Sequence, residues 1–310
     1  MYDQNETDLS KYQYEIVWIT NKTELETNID LVEAFFHLYE DDSNFPDPDE
    51  REEPRFIKER IEEESNDPHT HLMAFRIIDP QDNSKKFVAG CITEFYPDSA
   101  CGLVTYIFVN KAYRGLKIGT QQKKIGEILL KSEEGLKGLI VFFEKKYGKK
   151  PKAVLFESNN PFLTLEEKDS MPPAKRLKFF KSLGAKRINF DYIQPPLEAG
   201  KKSVTNLYLL TFPDLANLEG TIEVKTVLGF VMELAKSLDR NMEEDPKSKY
   251  GIENYLNDLK EIETLTPETK LIGLLDDGIN IIQTTYENLS KNASNSKKTL
   301  VDLTDIPGAA

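Results

Sequence analysis

Between Leu72 and Val109 the chain carries three apolar, strand-like segments with very little between them. Leu72–Ile78 (LMAFRII), Phe87–Phe95 (FVAGCITEF) and Gly102–Val109 (GLVTYIFV) are separated only by turn-rich DPQDNSKK and YPDSA. A parallel crossover needs about a dozen residues or more, so connectors this short make the three strands antiparallel neighbours. Any fold open to the chain is built around that meander.

Helical patterns flank it. Tyr14–Thr20 (YEIVWIT) reads as a preceding strand, and Asn28–Tyr39 places Leu31, Phe35, Phe36 and Leu38 at helical spacing. The loop Glu40–Glu53 holds eight acids against one base, Arg51, and a second helix runs roughly from Arg55 to Glu64. After Val109 the pattern predicts a loop and a helix from about Ile118 to Lys131, extending or resuming to Lys146. A strand Ala153–Glu157 follows, then a helix Pro173–Leu183 that Gly184 ends. Strands Arg187–Tyr192 and Thr205–Phe212 close the unit. This order predicts an α+β (mixed α/β) fold with a mostly antiparallel central sheet flanked by helices.

From Thr221 the periodicity is helical only. Val227, Leu228, Val231, Leu234, Ala235 and Leu238 form one apolar stripe, and Ile252, Tyr255, Leu256, Leu259 and Ile262 form another. A third apolar stretch, Leu271–Leu289, is interrupted by Gly273 and Gly278. The chain therefore divides into a polar segment 1–12, a main domain 13–215, a helical extension 216–292 and a polar, disordered tail 293–310.

The formal net charge of -13 argues against DNA or RNA as the main partner, because phosphate binding needs clustered Lys and Arg. Two cysteines, Cys91 and Cys101, make neither a disulfide framework nor a metal-type spacing. His69 and His71 flank Thr70 without a third ligand spaced nearby, so no metal is expected. No apolar run approaches the roughly 20 residues of a membrane span, and Met1–Ser10 is too polar for a signal peptide. The expectation is a soluble, cytoplasmic protein with no membrane partner.

The most informative stretch is Tyr106–Gln121, YIFVNKAYRGLKIGTQ. It runs from an apolar strand through a short basic loop into a helix expected to open at Ile118, Gly119 and Thr120. Free amides at a helix start and the dipole there favour an anion, and glycines such as Gly115 and Gly119 let backbone approach it closely. Arg114 and Lys117 add positive charge. A plain tight turn at Gly115 and Gly119 is the competing reading.

VNKAYRGLKIGTQ resembles the acyl-CoA-binding motif of the GNAT superfamily, Arg/Gln-x-x-Gly-x-Gly/Ala. Arg114 and Gly119 match; Lys117 stands where the first motif glycine is usual, and Lys111 where proline is common. AKRLKFFKSLGAKRI resembles the family's second-half run Ala-x-x-Phe-Tyr-x-Lys-x-Gly-Phe, with Phe179 and Gly184 matching. Phe180 falls where many members carry the tyrosine that protonates the departing thiolate. The resemblance covers about Gln13–Phe212 and leaves the C-terminal helices without a family.

The resemblance implies transfer of an acetyl or other acyl group from acyl-CoA to a primary amine by direct attack. Backbone amides of the fourth strand, at Phe108 and Val109, would polarise the thioester, and Arg114, Gly115, Lys117, Ile118, Gly119 and Thr120 would hold the pyrophosphate and pantetheine. A base must deprotonate the alkylammonium. Glu94, in GCITEFY, and Glu157, in FESNNP, are the candidates, each against the reading of a solvated or strand-capping residue. Tyr192, in FDYIQPPL, replaces the missing acid, against the reading of a packed strand aromatic. Gln194, Pro195 and Pro196 end that strand and shape the pocket. The acidic loop favours a cationic acceptor, such as a small polyamine or a lysine side chain, if it is more than a solvated surface. The alternatives are a non-catalytic CoA-binding or protein-interaction module, and a protein whose C-terminal helices dock a second copy or a partner.

Overall fold

A computed structural model describes residues 8–65, 67–164, 169–189, 192–198, 201–239 and 268–273. The expected helix over 252–262, the apolar stretch beyond 273 and the tail from 293 lie outside them.

Strand β1 (Gln13–Ile19) leads into helices α1 (Lys22–Thr27), α2 (Ile29–Tyr39) and α3 (Pro54–Glu62). The expected meander follows as β2 (His69–Ile78), β3 (Lys85–Tyr96) and β4 (Cys101–Val109). All three pairings from β1 to β4 are antiparallel, as the short connectors require. Two short strands, β5 (Lys117–Ile118) and β6 (Lys123–Lys124), form a hairpin before helices α4 (Ile125–Lys131) and α5 (Leu136–Tyr147). Then come β7 (Ala153–Asn159), α6 (Pro173–Ser182), β8 (Lys186–Ile188), β9 (Leu207–Thr211) and α7 (Pro213–Ala216). The described chain ends in β10 (Thr221–Glu223), α8 (Val224–Asp239) and β11 (Glu268–Gly273).

The result is a mixed α+β fold whose sheet runs β1-β2-β3-β4-β7-β9-β8-β11-β10. Among the described strands only β4 and β7 pair in parallel, across the crossover that carries α4 and α5. Strand alternation divides the apolar residues between the two faces. Met73, Phe75 and Phe95 pack with Leu129, Phe143 and Leu177 from α4, α5 and α6. Leu72, Ala74 and Ile92 pack with Phe35, Val32 and Ile57 from α2 and α3. Further along that second face, Leu103, Leu155 and Leu209 meet Val227, Phe230 and Val231 of α8. Among the described residues, no helix is long and apolar enough to cross a membrane.

Three expectations need correction. The helix expected from Ile118 begins instead at Ile125. Ile118 is buried and bridges Leu9, while Gly119 and Gln122 adopt left-handed backbone (φ 68° and 51°), so a hairpin turn occupies the first helical turn. The strand expected to reach Tyr192 is recorded only as Lys186–Ile188, and Tyr192 lies outside it in a segment that bridges Gln194 to Val204. The C-terminal region is not helical alone: β10 and β11 add to the sheet, and Leu271–Gly273 pairs with β8. A short apolar run has no period that separates strand from helix, and the open edge of β8 decides it here.

Candidate active site

β4 and β7 stay paired only from Cys101↔Ala153 to Val104↔Phe156. Beyond that point β4 continues with β3 and β7 with β9, so the sheet opens into a gap. The opening coincides with a β-bulge. Tyr106 pairs with Ile92 and Val104 with Thr93, which leaves Thr105 as the extra residue. A bulge re-aims the side chains that follow it. Here Val104 packs on the α4–α6 face and Tyr106, two residues on, against α2. A cleft of about 190 Å3 fills the gap, walled by Phe108, Val109, Phe156, Phe179 and Phe180 and by the carboxylate of Glu157.

The main chain of β4 supplies donors to this gap. Asn110 N–H donates to Val88 O at 2.8 Å, on the β3 side. Backbone groups of an antiparallel strand alternate in direction, so Phe108 also turns toward β3, while Ile107 and Val109 turn into the gap.

Glu157 is the first β7 residue beyond the last β4 pair. Its side chain is partly open to the cleft, yet its carboxyl is largely desolvated by surrounding protein. Tyr192 Oη donates to its Oε1, and Gln194 Nε2 donates to its Oε2 at 2.8 Å. Burial raises the carboxyl to about 7; the two donors pull the other way, and Glu94 adds a small raising influence. Ser158 Oγ, Asn159 Oδ1, Gln194 Oε1 and Thr105 Oγ1 are buried near this carboxylate or the bulge without hydrogen-bond partners.

The acidic loop reaches the mouth. Asn44 and Phe45 line the cleft. Glu50 is raised to about 7 by burial first and then by Asp47, Asp169 and Glu157, against the pull of Arg176. Arg176 pairs with Asp169 and donates to Ser170 Oγ at 2.9 Å.

The remaining candidates are placed as follows. Glu94 is buried in an ion cluster: Arg60 Nη2 donates to its Oε1 at 2.8 Å, and Tyr96 Oη to its Oε2 at 2.6 Å. Arg60 also grips both oxygens of buried Glu52, at 2.6 and 2.7 Å. Phe180 sits against Phe156 in the cleft wall, ring centroids 4.8 Å apart. Arg114 staples three segments together. It donates to Val109 O, Ser170 O and Ser43 O at 2.9 Å and to Asn44 Oδ1 at 2.6 Å.

In the loop after β4, five amides already have acceptors within the chain. Ala112 donates to Asn110 Oδ1, Tyr113 to Asn110 O, Arg114 to Lys111 O, Leu116 to Tyr113 O and Gly119 to Leu9 O. Gly115, at φ 80°, and Gly119 thus serve tight turns, while Lys117 and Thr120 are carried on the hairpin. These five amides are engaged within the chain.

Sequence reasoning missed Gln194 as a partner of Glu157 and missed the Arg60–Glu52–Glu94 cluster. Their separations of 37, 8 and 34 positions follow no local period, so no sequence signal pointed to them. Among the described residues, no group of three His, Cys, Asp or Glu side chains is placed to hold a metal ion.

No protein-family model matches the chain, and no curated protein matches it. Among solved structures, the catalytic domain of the Tetrahymena GCN5 histone acetyltransferase in complex with coenzyme A is similar to it with a TM-score of 0.32 and 11% identity. That likeness covers 65% of this chain and 92% of that one.

Proposed function

We propose that this protein transfers an acyl group from an acyl-CoA thioester to a primary amine, with Glu157 as general base. The observation that carries the reading is a carboxylate poised near 7 in the gap between β4 and β7, beside main-chain donors on the facing strand. Acyl-CoA supplies the activated carbonyl. Glu157 takes the proton of the incoming ammonium, which at neutral pH must be lost before nitrogen can attack. The amides of Ile107 and Val109 receive the negative charge that develops on the carbonyl oxygen. Tyr192 returns a proton to the leaving sulfur and is recharged from Glu157 through their shared hydrogen bond, and the second proton shed by the acylated nitrogen passes to solvent. Phe180, with no ionisable group, leaves that role to Tyr192. Glu94 has no part in the step, since both its oxygens are engaged by Arg60 and Tyr96.

The acceptor is cationic. Asp47, Asp169 and Glu157 all act on Glu50 at the mouth, against Arg176, and a net negative field there concentrates an ammonium and opposes an acid. A small amine or a lysine side chain satisfies this.

One observation favours a second reading, a non-catalytic module: the amides after β4 are already bonded within the chain. Calorimetry with coenzyme A, together with thiol release from acetyl-CoA over a panel of amines, separates the two. Binding with turnover that Glu157→Gln abolishes supports the enzyme. Binding without turnover on any amine supports a CoA-binding module, and no heat with coenzyme A removes both CoA readings and leaves a protein-interaction module.

A further inference from the structure

The two faces of the sheet present different surfaces to the cleft. Phe156 packs on the α4–α6 face, and neighbouring strand positions point to opposite faces, so Glu157 turns to the other face, where Tyr106 and Phe108 pack. An amine reaches Glu157 from that side, and the wall it meets there is aromatic. Phe45, carried on the acidic loop, stands edge-on to Tyr106 and Phe108, with ring centroids 5.3 and 6.0 Å apart and interplanar angles of 80° and 79°. Its ring is partly exposed, and all three rings line the cleft.

The polar atoms of this wall are bonded within the chain. Tyr106 Oη accepts Glu52 N–H at 2.9 Å. Asn44 Nδ2 donates to Leu38 O at 2.8 Å, and its Oδ1 accepts from Arg114 at 2.6 Å. Among the described residues lining the cleft, Glu157 is the one carboxylate; Asp47 and Glu50 of the same loop as Phe45 act at the mouth without lining it. A diamine would bring its second ammonium among rings with no acid to receive it, which is costly. The chamber instead matches one ammonium on a flat apolar body. The acids at the mouth draw the charge, and the rings take the body. A planar ring continues the edge-to-face packing, with centroids about 5–7 Å apart, whereas an alkyl chain has no face or edge to offer. We propose that the acceptor is an arylalkylamine, a primary amine joined to an aromatic ring by a short alkyl link, and that Phe45 is the residue that selects it. This acceptor class rests on the acyl-transfer reading.

The full chain is assayed with acetyl-CoA and phenethylamine, butylamine or diaminobutane, read by thiol release. The expected kcat/KM for phenethylamine is about tenfold or more above that for the other two. Phe45→Ala and the milder Phe45→Leu bring the phenethylamine-to-butylamine ratio to within about twofold of unity through a rise in KM, and Phe45→Tyr keeps the preference. Saturation-transfer NMR with phenethylamine and the same variants reads binding without turnover. Saturation that reaches phenethylamine from the parent and is lost in Phe45→Leu, with no thiol released from any amine, overturns acyl transfer and keeps the chamber as an arylalkylamine site. Equal kcat/KM for the three amines, a preference for diaminobutane, or a ratio unmoved in both Phe45→Ala and Phe45→Leu overturns the proposal. So does the absence of saturation transfer where no amine turns over.

Discussion

Gln194 Nε2 lies 2.8 Å from Glu157 Oε2, across 37 positions of sequence, and holds the carboxylate in the gap between β4 and β7. Tyr192 binds the other oxygen, so the carboxylate is gripped from one side and open to the cleft on the other.

A pH–rate profile tests that arrangement. In the proposed reaction Glu157 acts as its carboxylate, so kcat/KM with an amine acceptor should rise through about pH 7 and level above it. Tyr192 and Gln194 both pull the carboxyl down, so Tyr192→Phe and Gln194→Ala each move the rising limb to higher pH. A limb that stays in place in both variants excludes Glu157 as the group that titrates.

Stability has the opposite dependence on pH at this residue. Raised from 4.5 to about 7 in the folded chain, Glu157 contributes stability that is complete below about pH 4.5 and is lost as pH rises through 7. Urea unfolding at pH 5 and pH 8 should therefore show a larger fall for the parent than for Glu157→Gln. The difference is on the order of 2 kcal/mol, reduced from the full shift because the cleft side of the carboxyl meets solvent.

Arg114 joins the end of β4 to the turn at Ser43–Asn44 and to Ser170 through four hydrogen bonds. Arg114→Ala leaves these acceptors without their donor and should lower unfolding stability by about 1–3 kcal/mol. Arg114→Lys should recover little, because one ammonium cannot reproduce the guanidinium fork. Full stability in the lysine variant would mean that charge alone matters there.

Glu233 on α8 receives Asp98 N–H, Ser99 N–H and Ser99 Oγ–H at 2.7–2.8 Å, which ties α8 to the β3–β4 turn. Glu233→Ala should cost about 1–3 kcal/mol in chemical denaturation. A cost near zero would show that water replaces the carboxylate at that turn.

Much of the frame was legible in advance. Connectors of a few residues leave antiparallel pairing as the one way to join β2, β3 and β4, and FESNNP placed Glu157 at the end of the strand that parts from β4. In the loop after β4, four amides bond to neighbours at Asn110, Lys111 and Tyr113, and only the bond from Gly119 to Leu9, more than a hundred positions away, lay beyond any local reading. Glu94 misled for the same kind of reason: alternation with Ile92 could not show that Arg60 waited behind it.

The sequence by itself determined the local pairings, the helix faces and the split of apolar residues between two sides of one sheet, since periodicity and loop length act over a few residues. Only the tertiary structure decided where β4 bulges at Thr105, which carboxylate is desolvated beside the gap and which is neutralised by a buried arginine, and how β11 joins β8. The ionisation of a carboxyl depends on every charge and every missing water within a few ångströms, and those neighbours are brought together by folding from distant parts of the chain.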